Sequence, residues 1–128
     1  MAVGLDHVAV RRGALGVVMF VAPAYVIVLV AAAGDESSGA WLLLAAALLF
    51  GATFGGYAGA RDRPPTPIAH GAASAGIGLA FVLVAALIVQ TVRGDLTLTA
   101  ALTALVILQI GIGLGCLGGK FADTMAPR

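Results

Sequence analysis

The chain has 128 residues, 61% hydrophobic and 10% charged, with a formal net charge of +1 and a mean hydropathy of +1.08. Soluble domains carry about 25% charged residues, so the composition excludes a water-soluble fold and makes the lipid bilayer the first expected partner. The near-neutral balance excludes a nucleic-acid partner, which needs clustered Lys and Arg, and the single cysteine, Cys116, excludes an internal disulfide or a cysteine-based metal cluster.

A membrane-spanning helix needs about 20 predominantly apolar residues. The runs 14–33, 40–60, 68–92 and 98–119 meet this length, and none has Asp, Glu, Lys or Arg in its interior. The expected fold is all-α: a polytopic membrane protein with four transmembrane helices in an up-down-up-down bundle, forming a single domain over 1–128.

Asp6, His7, Arg11 and Arg12 precede the first span. Two arginines, an apolar run and the small residues Ala31, Ala32 and Ala33 mimic a secretory signal. The run exceeds the about 7–15 apolar residues of such signals, so a retained helix is expected. Pro23 lies mid-span, removes a backbone donor and crowds the carbonyl of Met19, which predicts a kink. A short polar turn with Asp35 and Glu36 follows, and Trp41 then stands where an indole would sit at headgroup level.

The second span carries Gly51, Gly55 and Gly59, and the fourth carries Gly111, Gly115 and Gly119. Residues four apart share one helix face. A bare glycine stripe lets another backbone approach, and this packing replaces the hydrophobic drive that lipid cannot supply. Packing within the chain is the favoured use of these stripes, and self-association is the sharper alternative. Ala72, Gly76 and Ala80 extend the pattern to the third span.

Glycines, arginines, prolines and a histidine crowd into the connection 55–71. Arg61 and Arg63 sit at the carbonyl end of the second helix and can snorkel to lipid phosphates. Pro64, Pro65 and Pro67 stiffen the turn, with Thr66 as N-cap and Pro67 as first helical residue of the third span. His70 then falls in the first turn. Arg61, Arg63 and His70 form a candidate anion, headgroup or partner site, although a well-made hairpin explains most of the same residues.

The third span ends at Val92-Arg93-Gly94-Asp95, and Thr97 and Thr99 lead into the fourth. Gln109, near the middle of that span, is the deepest strongly polar side chain. Such groups usually face the bundle interior and hydrogen-bond another helix, with Ser74 and Thr53 as candidate helpers; a substrate ligand is the sharper alternative. Gln90 lies close to water. Cys116 is expected to be an inert packing residue.

His7 and His70, with Asp6 and Asp62 as the only nearby carboxylates, lack the third ligand a metal site needs. No nucleophile–base pair or carboxylate pair shares one depth. No catalytic residue, metal ligand or cofactor is therefore expected. Arg11, Arg12, Arg61, Arg63, Lys120 and Arg128 lie on one predicted side and Arg93 on the other, which by the positive-inside rule puts both termini in the cytoplasm of a cell with its cell membrane as host. Gly13/Gly76, His7/His70 and Gly55-Gly56/Gly118-Gly119 recur at a spacing of 63, hinting at a tandem of two-helix units over 7–60 and 70–123. A spacing of 60 pairs the two glycine stripes instead.

Gly55-Gly56-Tyr57-Ala58-Gly59-Ala60-Arg61, a proline-containing turn and His70-Gly71 resemble a group of small four-helix bacterial integral membrane proteins. Their pattern is Gly-Gly-aromatic-Ala-Gly-Arg, a short turn with Ala-Pro or Thr-Pro, then His-Gly. Arg12-Gly13-Ala14 and Leu117-Gly118-Gly119 are similar too, so the likeness covers most of the chain. Here Ala60 intervenes before Arg61, which turns the arginine by about 100° on the helix. The group has no assigned function, so the resemblance implies a fold and a compartment only.

Three function classes follow. A structural or accessory membrane subunit, self-associating or bound to another membrane protein, is favoured by the glycine stripes and by spans without charge. A small oligomeric channel or transporter is the alternative, although proton-coupled exporters need a membrane-embedded carboxylate. A lipid-acting enzyme ranks third.

Overall fold

The computed structural model describes residues 4–31, 39–62 and 65–125. These form four helices, α1 (His7–Ala31), α2 (Ala40–Ala60), α3 (Pro67–Val92) and α4 (Leu98–Met125). Each is long and apolar enough to cross a membrane, and no strand occurs among the described residues. The molecule is an all-α, four-helix bundle of membrane type.

Helix α2 coincides with its apolar run, and α3 begins one residue early, on Pro67. The outer two helices overrun theirs. Helix α1 takes in Arg11 and Arg12, and α4 continues through Lys120 and Asp123, because backbone hydrogen bonding does not stop where the apolar run stops. What starts α1 is Asp6, whose Oδ1 accepts the Val8 and Ala9 backbone N–H at 2.8 and 3.2 Å, an N-cap that satisfies two of the four orphan donors of a helix start. The helix continues through Pro23. Helix α3 stops at Gly94, whose φ of 75° is open to glycine at no steric cost. The Asp95 N–H then reaches the Gln90 carbonyl at 2.8 Å and the Gly94 N–H that of Thr91 at 3.1 Å, the paired bonds of a Schellman motif. Thr97 Oγ1 restarts the chain by accepting the Ala100 N–H at 3.1 Å.

Helix α1 packs on α2 and α3, α4 packs on the same two, and α2 and α3 meet between them. Helices α1 and α4 are the diagonal pair, with no Cα–Cα approach within 8 Å among their described residues. Going round the bundle the order is α1, α2, α4, α3. Consecutive helices run antiparallel, whereas α1 lies alongside α3, and α2 alongside α4, in the same direction.

The reason lies in where the glycines fall. Within the helices every glycine belongs to 13–16, 51–59, 71–78 or 111–119, and these segments share one end of the bundle. There backbone meets backbone. A methyl placed on Gly56 would lie 2.5 Å from the Gly115 carbonyl oxygen, and one on Gly115 would lie 2.5 Å from both the Ala75 Cβ and the Gly71 carbonyl oxygen. Close approach of this kind lets dispersion contacts hold helices together in lipid. Toward the other end the helices face one another through larger side chains such as Leu44, Leu48 and Leu83. Between the two ends sits the buried cluster Val17, Val21, Ala52, Ala75, Leu79 and Val82. Large apolar side chains such as Met19, Phe50, Phe81 and Leu98 cover the outside, as a hydrocarbon solvent requires.

Candidate functional site

At the glycine end, His70 stands one residue before Gly71 and four before Ser74, so it shares the inward face of α3. It is 2% exposed. Its Nε2 accepts the backbone N–H of Asp6 at 2.9 Å. That bond requires an unprotonated Nε2 and assigns the proton to Nδ1, which donates to the Thr66 carbonyl at 2.8 Å and lies 2.9 Å from Thr66 Oγ1. Thr66 holds the N-cap position, but its hydroxyl caps no backbone N–H; it faces the imidazole instead. Asp6 therefore caps α1 with its carboxylate and fastens that cap to the start of α3 with its amide. One histidine ties two helix starts together.

The arginines lie elsewhere. Arg12 Nε donates to the Ala58 carbonyl at 3.1 Å and its Nη2 pairs with Asp62 Oδ2 at 3.1 Å, joining α1 to the end of α2. Arg61 Nε is 3.5 Å from the same carboxylate oxygen. Both arginines are exposed, and no hydrogen bond connects Arg61 with His70, whose two ring nitrogens are occupied within the chain. Arg63 lies outside the described residues. His7 is exposed whereas His70 is buried, so the two histidines occupy unlike settings. Among the described residues no group of three or more His, Cys, Asp or Glu side chains gathers as a metal cluster would. Arg12 and Asp62 carry the α1–α2 link across 50 residues of sequence, and no local spacing signals such a pair.

The glycine stripes face inward. Gly55 meets the Gly13 carbonyl and Val17, Gly51 meets Phe20 and Val21, Gly59 meets Ser74, Gly111 meets Leu79, and Gly119 meets Pro67. All these contacts are made within the chain.

Gln109 departs from expectation. It points outward, exposed, and so neither faces the bundle interior nor meets Thr53 or Ser74. Thr53 Oγ1 donates to the Leu49 carbonyl of its own helix at 2.8 Å. Ser74 is fully buried with its Oγ unpaired among the described residues. The cause is the helical angle: two residues before Gly111 correspond to about 200° around α4, the side away from the stripe. Gly113, two residues after Gly111, shares that outer side. It is exposed, with nothing within 4 Å of a Cβ built on it.

At the opposite end the spread helices leave a crevice of about 460 Å³ open to the exterior, with Tyr25, Trp41, Gln90, Thr97 and Thr103 among its lining residues and Val21 and Val82 toward the core. Gln90, expected close to water, has its Oε1 buried without a hydrogen-bond partner among the described residues. Cys116 is half-buried on α4. Comparison with protein-family models finds no match to this chain, and comparisons with curated proteins and with solved structures find none either, so its geometry alone carries the functional argument.

Proposed function

We propose that this chain is an accessory subunit of a bacterial cell membrane, with both termini cytoplasmic, that associates through the outer face of α4 with a second copy or with another membrane polypeptide. It is proposed to belong with the small four-helix membrane proteins whose Gly-Gly-aromatic-Ala-Gly-Arg and His-Gly hairpin it resembles. One observation carries the association: Gln109 presents outward an amide with no hydrogen-bond partner among the described residues, about 17 Å along α4 from Leu98, near mid-bilayer. Lipid offers that amide no hydrogen bond. A carboxamide is both donor and acceptor, so a copy related by a two-fold axis returns the bond it receives. Gly113, one turn further on and bare, lets the second backbone come near. The inward stripes are filled by the chain's own helices, which supports the outer face of α4 as the free contact.

Two reciprocal bonds at about 0.6 kcal/mol each correspond to roughly an eightfold change in dissociation constant. The dissociation constant read from energy transfer between labelled copies titrated in liposomes should therefore rise by that factor in Gln109→Leu, and also rise in Gly113→Leu. A wild-type chain that is monomeric in liposomes and whose co-purifying proteins are unaltered by Gln109→Leu would refute the proposal. The second reading, an oligomeric channel or transporter, rests on the open-end crevice. The buried cluster below that crevice supports a route between copies over one through a single bundle, and liposomes that show no leak of ions or small solutes remove it.

A further inference from the structure

The geometry points to an anionic phospholipid site in the groove between α1 and α2 at the glycine end, distinct from the α4 face. The groove has a volume of about 570 Å³ and is lined by Val8, Arg11, Arg12, Leu15, Met19, Phe54 and Arg61, among others. Its chemistry is graded. Arg11 and Arg12 on α1 and Arg61, the residue that caps the end of α2, stand at its mouth. Leu15 and Met19 continue the same face of α1, and Phe54 lies two turns before Arg61 on α2, so the wall turns apolar toward the bundle's mid-height. From Arg11 to Met19 is about 12 Å along the helix, the depth over which a glycerophospholipid passes from phosphate into acyl chain.

Charge settles the occupant. Three guanidinium groups line the groove, and the carboxylate beside them is Asp62, shared by Arg12 at 3.1 Å and Arg61 at 3.5 Å. Arg11 has no ion pair among the described residues. The groove mouth thus keeps an excess of two positive charges. Guanidinium binds phosphate oxygens bidentately, and the exposed flanks Leu15, Met19 and Phe54 suit a chain, not a free anion. A zwitterionic lipid offers the same chain and phosphate but cancels the attraction with its own cation.

The test uses the full chain in nanodiscs of equal parts phosphatidylglycerol and phosphatidylcholine, with the lipids retained after detergent extraction identified by native mass spectrometry. Wild type should retain phosphatidylglycerol preferentially. At about fivefold per basic side chain near the surface, Arg11→Gln with Arg61→Gln should reduce that preference by roughly twentyfold to thirtyfold, and Arg11→Lys with Arg61→Lys should keep most of it. Arg93→Gln, at the other end, should change nothing. Because Arg11 and Arg61 are exposed, the helical circular dichroism of the variants should match wild type. Equal retention of the two lipids by wild type, survival of the preference in the double Gln variant, or competition by soluble glycerol phosphate would overturn the site.

Discussion

Gly113 and Gly115 lie two residues apart on α4 and face opposite ways, so the same added methyl should have opposite effects. At Gly113 nothing lies within 4 Å of a built Cβ. Alanine there gains helix propensity of up to about 1 kcal/mol relative to glycine. At Gly115 the methyl would lie 2.5 Å from the Ala75 Cβ and 2.5 Å from the Gly71 carbonyl oxygen, whereas carbon–carbon contacts are best at about 3.5–4.0 Å. Helices α3 and α4 must then move apart by about 1 Å, and overpacking of this kind costs about 1–3 kcal/mol. The propensity gain is common to both variants and cancels in their difference, which isolates the packing term. Unfolding of the detergent-solubilised monomer by urea or dodecyl sulfate, followed by far-ultraviolet circular dichroism, measures it. Gly115→Ala should be less stable than Gly113→Ala by about 1–3 kcal/mol. Agreement of the two within about 0.5 kcal/mol, the usual scatter of surface substitutions, would refute the backbone-to-backbone packing of α3 and α4.

His70→Ala removes the acceptor of the Asp6 N–H and leaves a cavity where a buried ring stood. A loss of about 2–4 kcal/mol is expected, with faster hydrogen exchange at the Asp6 amide; unchanged protection of that amide would exclude the link between α1 and α3. Ser74→Ala should be neutral or stabilising by about 1 kcal/mol, because an unpaired buried hydroxyl carries a desolvation cost with no bond to offset it. A clear loss of stability in that variant would mean the hydroxyl has a partner.

The four helices were legible because apolar length alone identifies a span, and α2 was legible to the residue. Which face of each helix points inward was harder. The helices are apolar nearly all round, so hydrophobicity does not separate a lipid-facing side from a packed one. Small residues do. Gly111, Gly115 and Gly119 mark the packed side of α4, and counting two residues back from Gly111 puts Gln109 on the outside. The usual inward tendency of intramembrane polar groups points the other way, and here the glycine geometry prevails. The Asp6–His70 bond spans 64 residues and uses a backbone amide, which no pattern of side chains can announce. The separation of α1 from α4 is equally hidden, since alternating direction along a chain leaves the order around the bundle open.

The uneven placement of glycine also divides the molecule by its tolerance of substitution. At the end where Gly56, Gly71, Gly115 and Gly118 press on neighbouring backbone, any larger residue collides with atoms that have no rotamer to change. At the other end Leu, Ile and Val meet one another through flexible side chains, and one can be exchanged for another with modest repacking. Drift in this sequence should therefore accumulate around the crevice and along the lipid-facing surface, while the glycine end stays fixed, so that the crevice is the part of the scaffold most readily reshaped for a new purpose.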